Sequence, residues 1–217
     1  MKPVEMKATV GEMLRHARSE LKRNGIGDWR LDAEWLMSHV MGKERMEILL
    51  RPNMEMKKEE QERFFQLLQR RIQGEPLQYI LGTQEFMGLS FLVDQRVLIP
   101  RQDTETLVEE AIRVMKRDWG GAGRILEVGT GSGAIAISLA KLLPQTFVTA
   151  VDLSSEALSV AAANARIHGV DSRIAFLKCD FLRDSLSDDG KRYHLLVSNP
   201  PYIPSSQIEG LQREVKD

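Results

Sequence analysis

Apolar residues recur at helical spacing through residues 10–72 and then gather into short β-branched runs, so the chain divides into two kinds of element. Thr9 and Glu12 form a capping-box pattern ahead of the stripe Val10, Met13, Leu14, Ala17 and Leu21, and Asn24-Gly25 ends that helix. A second amphipathic helix is predicted over 32–41, with Trp35, Leu36 and Val40 facing inward and Gly42 as terminator. Met46, Ile48, Leu49 and Leu50 suggest a short third helix that stops before Pro52. A fourth, over 57–73, carries Phe64, Phe65, Leu68 and Ile72. These stripes read as the core of a small helical bundle.

Gly74-Glu75-Pro76 marks the exit from the bundle. The segment from Phe86 to Val93 alternates about Gly88 and predicts a β-hairpin, which Val97-Leu98-Ile99-Pro100-Arg101 closes off. A helix follows from Asp103, with Leu107, Val108, Ala111, Ile112 and Met115 on its buried side. From there strands and helices alternate, the pattern of a parallel α/β sheet. The strands are Arg124 to Val128, Phe147 to Val151, Arg173 to Lys178, and the run His194-Leu195-Leu196-Val197-Ser198. Pro200 and Pro201 cannot donate ladder hydrogen bonds, so the last run must stop there.

The chemistry concentrates at the ends of those strands. Arg124 to Val128 leads at once into Gly129-Thr130-Gly131-Ser132-Gly133, and an apolar helix from Ala134 follows. Strand, glycine turn and helix open a nucleotide-type βαβ unit, in which the glycines let backbone approach a ligand. Asp152, at the end of the second strand, is placed to accept the two hydroxyls of a ribose. Asp180 and Phe181 follow the third, where an acid can bond the exocyclic amine of adenine and a ring can stack on it; a capped turn with a core phenylalanine uses the same residues. A dinucleotide-binding dehydrogenase fits the glycines equally well. Glu127 and the tip Asn199-Pro200-Pro201-Tyr202 favour S-adenosylmethionine: the carboxylate can meet an ammonium group that nicotinamide cofactors lack. The stiff tip offers acceptors and a ring to a planar NH2 group.

Composition narrows the classes. The net charge of −1 over 217 residues argues against a strongly electropositive surface for nucleic acid, though it leaves room for a local basic patch, and a single cysteine, Cys179, fits a reducing compartment. Apolar runs fall short of the ~20 residues that span a bilayer. His16, His39, His168 and His194 sit on separate elements without ligand-like spacing, so no metal is expected.

Together these residues resemble the HemK-type protein-glutamine methyltransferases, which modify peptide-chain release factors. The resemblance runs through Gly74-Glu75-Pro76-Leu77-Gln78-Tyr79-Ile80-Leu81-Gly82, Leu98-Ile99-Pro100-Arg101, the turn from Gly129 to Gly133, and Ser198-Asn199-Pro200-Pro201-Tyr202-Ile203. Gln102 and Asp103 stand where the family usually has proline and glutamate. It implies a helical substrate-recognition domain over 1–81, a β-hairpin linker over 82–101, and an α/β, Rossmann-like class I methyltransferase domain over 102–217. Gly129, Thr130, Gly131, Ser132, Gly133, Asp152, Asp180, Phe181 and Asn199 would surround S-adenosylmethionine; Asn199, Pro200, Pro201 and Tyr202 would hold the acceptor glutamine. Of these, Asn199, Pro200 and Tyr202 are the expected catalytic set. The implied partner is a class 1 release factor, met through its Gly-Gly-Gln loop in the cytoplasm, with no nucleic acid or membrane involved. The family's sheet has three further strands after the tip, so the expectation is a truncated chain with its main strands in the order 3-2-1-4. The competing readings are an adenine-amino methyltransferase acting on DNA or RNA, and an inactive cofactor-binding fragment.

Overall fold

The first helix begins where its cap requires. In the computed structural model, which describes residues 8–184 and 192–200, the Glu12 N–H donates to the Thr9 hydroxyl at 3.4 Å and the Thr9 N–H donates to the Glu12 carboxylate at 2.9 Å. Two donors that the first turn would leave unpaired are thereby satisfied. Helix α1 (Val10–Arg23) buries Val10, Met13, Leu14, Ala17 and Leu21, the stripe read from the sequence.

Helix α2 (Trp29–Met41) starts three residues before the expected position. Asp32 lies inside it: the carboxylate is buried and pairs with Arg71 of α4 (Lys58–Ile72), Nε to Oδ2 2.6 Å. The buried face runs Ala33, Leu36, Met37 and Val40, an i, i+3, i+4, i+7 stripe. Trp35 falls off that stripe and is 45% exposed, correcting the expectation that it faces inward. The Arg45 guanidinium, at the start of α3 (Arg45–Leu50), covers its ring at 5.8 Å. The same rotation explains Phe65. In α4 the buried positions are Phe64, Leu67, Leu68 and Arg71, leaving Phe65 40% exposed beside His16. A five-residue helix, α5 (Leu77–Leu81), follows Pro76 and buries Ile80.

Packing divides the chain between Leu81 and Gly82. The second unit opens with a hairpin, β1 (Thr83–Phe86) and β2 (Leu89–Leu92), in which Phe86 faces Leu89. The two-residue turn Met87-Gly88 has φ of 52° and 70°, the doubly left-handed form that matches strand twist. Helix α6 (Asp103–Trp119) then covers the parallel sheet of β3 (Ala122–Val128), β4 (Gln145–Asp152), β5 (Ile174–Lys178) and β6 (Leu195–Ser198). Its strand order is β5-β4-β3-β6, the expected 3-2-1-4. Helices α7 (Ala134–Leu142) and α8 (Ser155–Ile167) make the crossovers. Register places Val128 beside Val151 on one side and Ser198 on the other, so three carboxyl ends finish flush. The order reverses between β3 and β6, where an α/β sheet opens its ligand crevice.

Arg71→Met should destabilise the helical unit by roughly 3–5 kcal/mol, because it removes the guanidinium from a buried ion pair with Asp32, and adding Asp32→Leu should recover most of that loss. Urea unfolding with hydrogen exchange in α2 and α4 reads both effects. Unchanged protection in the single variant would show that the pair contributes nothing.

Candidate functional site: a glycine turn and a strand tip

The glycine turn is built by backbone bonds to the neighbouring strand. The N–H groups of Gly129 and Thr130 both donate to the Val151 carbonyl, at 2.9 and 3.1 Å. Gly129 and Gly131 have φ of 79° and 54°, and no atom lies within 4 Å of where a Cβ would stand on either. Their outer face is open to a ligand. Gly133 differs: a Cβ there would lie 2.9 Å from Ile137 Cδ1 and 3.0 Å from Ala161 Cβ. It lets α7 pack closely on α8, which is a structural reason for the third glycine.

Beneath the turn lies Glu127, 1% exposed in the central strand. The Thr130 hydroxyl donates to Oε2 at 2.6 Å, while buried Oε1 has no hydrogen-bond partner. Burial pushes the carboxyl up to about 8. Thr130 pulls it down, as does the Ala136 backbone N–H without closing a bond to Oε1, and nearby Asp152 raises it further. A buried carboxyl oxygen without a hydrogen-bond partner is unusual in a native fold and points to a missing partner.

Asp152 ties the turn to the next loop. Oδ2 accepts the Gly131 N–H and Oδ1 the Ser154 N–H, each at 2.9 Å. Each oxygen keeps a further lone pair, so ribose hydroxyls can add to these bonds. Asp180 forms a local turn: Oδ1 accepts the Leu182 N–H at 3.2 Å, and its own N–H donates to Asp184 Oδ2 at 2.8 Å. Phe181 is half-buried against Leu126, Val151 and Cys179. This is the capped-turn arrangement, at the carboxyl edge of β5.

At the tip of β6 the Ser198 hydroxyl donates to the Val128 carbonyl at 2.8 Å, fastening the strand end beside the glycine turn. The Asn199 amide nitrogen donates to the Thr104 hydroxyl of α6 at 3.0 Å. Pro200 is exposed; Pro201 and Tyr202 lie outside the described residues. The structure thus brings Glu127, the glycine turn, Asp152 and Asn199 to adjacent strand ends, with Asp180 and Phe181 one strand further out.

Two contributors escaped the sequence reading. Asn164 of α8 is wholly buried; its Oδ1 accepts the Leu92 N–H at 2.8 Å, and its Nδ2 donates to the carbonyls of Leu92 (3.0 Å) and Ser132 (2.9 Å). One side chain therefore joins hairpin and glycine turn. Its signal was a polar residue on the apolar stripe Ala157, Val160, Ala161, Asn164 and Ala165. Thr104 is the other, and its only local sign was a polar run at a helix start. Among the described residues no group of side chains could hold a metal, and no helix is long and apolar enough to cross a membrane.

Residues 12–82 match the PrmC N-terminal domain and residues 125–217 the Methyltransferase domain. The release factor glutamine methyltransferase of Chlorobaculum tepidum is 43% identical, over 99% of this chain and 74% of its own length. Those of Geobacter sulfurreducens and Nitratidesulfovibrio vulgaris are 42% and 40% identical, covering 96% and 97% of this chain and 70% of each relative. Both halves of the chain are accounted for by one lineage at that level of identity, and it belongs to the release factor glutamine methyltransferase family.

Proposed function

We propose that the chain transfers a methyl group from S-adenosylmethionine to the side-chain amide nitrogen of the glutamine in the Gly-Gly-Gln loop of class 1 release factors. The observation that carries this is the place of Asn199: one residue past Ser198, which pairs with Val128 where the glycine turn begins. An amide acceptor and a nucleotide cradle therefore share one strand end.

The residues present fit the cofactor. Oε1 of Glu127 is the orphaned acceptor that an amino-acid ammonium would complete. The open faces of Gly129 and Gly131 admit close approach, and Asp152 has acceptor capacity left for ribose hydroxyls. Asp180 and Phe181 stand at the neighbouring strand end for the adenine. When bound, S-adenosylmethionine supplies a methyl group already activated by its sulfonium.

The remaining task is to prepare a poor nucleophile. An amide nitrogen shares its lone pair with the carbonyl. The Asn199 side-chain oxygen and the Pro200 carbonyl each accept one N–H of the glutamine amide, drawing electron density to nitrogen and fixing its plane. Preorganised acceptors of this kind act through positioning and electrostatics rather than through a strong base. The family resemblance extends the acceptor face to Pro201 and Tyr202.

Incubating the chain with a release factor, adenine-containing nucleic acid and methyl-labelled S-adenosylmethionine tests the assignment. Label should appear on the Gly-Gly-Gln glutamine; label in nucleic acid, or none anywhere, contradicts it. Asn199→Ala should lower single-turnover transfer by roughly 10²–10³-fold, as loss of one preorganised polar contact does.

Asp152→Ala should weaken cofactor binding by about 1–3 kcal/mol, the usual loss for a charged hydrogen-bond partner. Calorimetric titration measures it, and unchanged affinity in a folded variant would remove Asp152 from the site.

Glu127 makes stability depend on pH. The folded protein holds its proton up to about 8, against an ordinary value of 4.5. Between those values the folded state binds the proton and the unfolded chain releases it. Stability of the ligand-free protein from this group is therefore full below pH ~4.5 and falls as pH climbs toward ~8, on the order of 1 kcal/mol per pH unit. Glu127→Gln should flatten that decline in urea unfolding followed across the window. Parallel curves for variant and parent would mean that the carboxyl is ionised in the fold.

A further inference from the structure

We infer that Thr104 is a positioning residue for methyl transfer: its hydroxyl holds the nitrogen end of the Asn199 side chain, leaving the amide oxygen to face the acceptor glutamine. This rests on the role proposed above for Asn199.

The two ends of an asparagine amide have opposite chemistry. The NH2 end only donates and the oxygen only accepts. A glutamine amide arrives with N–H donors, so only one orientation of Asn199 can receive it. The last torsion of an asparagine is broad and roughly two-fold, and an unrestrained side chain would often present the wrong end. A contact on the nitrogen end holds the side chain in the productive orientation.

The backbone beneath Asn199 is already fixed. Ser198 pairs with Val128 in register and bonds its carbonyl through the hydroxyl at 2.8 Å. Pro200 restricts Asn199 itself to extended backbone. What stays soft is the side chain, and Thr104 meets it at 3.0 Å. That contact joins residues 95 positions apart, from the start of α6 to the tip of β6.

Thr104 is a firm anchor. Its β-branched side chain has few rotamers, and its N–H donates to the Arg101 carbonyl at 3.0 Å. The next residue secures the same turn: the Glu105 N–H donates to the Gln102 carbonyl at 2.8 Å, while its carboxylate accepts the Met87 N–H of the hairpin at 2.6 Å. The start of α6 is thus held to the hairpin by Glu105 and holds the strand tip by Thr104. With the amide nitrogen turned to it, the hydroxyl accepts, and Asn199 Oδ1 is left for another donor.

The test is single-turnover methyl transfer to a release factor at saturating S-adenosylmethionine, with cofactor affinity measured by calorimetry. The variants are Thr104→Val, Thr104→Ser, Asn199→Ala and the Thr104→Val/Asn199→Ala double. Thr104→Val should lower the saturated rate by about 10-fold, the equivalent of one hydrogen bond. It should leave the dissociation constant of the cofactor within about 2-fold, because the hydroxyl acts on the acceptor side, and Thr104→Ser should restore the rate. The double variant should be no slower than Asn199→Ala alone, since the two residues act as a unit. A wild-type rate in Thr104→Val, a loss confined to cofactor affinity, failure of serine to rescue, or additive losses in the double variant would each overturn the inference. A normal rate in Asn199→Ala would overturn the reading of Asn199 itself, a distinguishable result. If the valine variant unfolds, Thr104→Ala and Thr104→Ser carry the same comparison.

Discussion

The Glu127 carboxyl is the constraint around which the site is arranged. It sits in the central strand, with Ala150 beside it on β4 and Val197 on β6, where water does not reach. Ionised and unpaired in such a place it would cost several kcal/mol, so the ligand-free fold keeps it protonated and gives it the Thr130 hydroxyl. Thr130 can reach Oε2 only because Gly129 turns the chain back at positive φ directly after β3. The unpartnered Oε1 is then a site prepared for an ammonium group. Stability is held back at the point where the proposed cofactor contributes binding.

The loops around that acid are fixed by single side chains reaching from distant elements. Asp152 holds the Gly131 N–H; Asn164 bonds both polar groups of Leu92 and the Ser132 carbonyl; Ser198 holds the Val128 carbonyl. Backbone polar groups in a buried turn need such partners, because water cannot serve them. These bonds also join parts of the site. The hairpin, the glycine turn and the strand tip each attach to a helix that another part of the site uses. Displacing one of them loads the others.

Local features were legible in the sequence, and long-range ones were not. The cap of α1 and its buried stripe follow from residues three or four apart, as do the glycine turn and the Met87-Gly88 hairpin. Trp35 and Phe65 were misplaced because large apolar residues next to a stripe look like part of it; one residue of offset turns a side chain by about 100° around a helix. Helix α5 was missed because five residues after a proline give too little periodicity. Asp180 and Phe181 suit a ligand contact and a capped turn equally, and the turn shows itself only in the fold, through the Leu182 and Asp184 bonds. Thr104 and Asn164 could not be assigned, since their partners lie 95 and 72 positions away. The strand order came from family resemblance rather than from any pattern in the strands.

Isotope-edited infrared difference spectroscopy on the Glu127 carboxyl, with Glu127→Gln as the control, examines the buried acid without recourse to turnover. At neutral pH the ligand-free protein should show a protonated-carboxyl band that Glu127→Gln lacks. Adding S-adenosylmethionine should replace that band by a carboxylate pair as the ammonium arrives. A carboxylate signal already present before ligand, or a protonated band unchanged at saturation, would contradict the account.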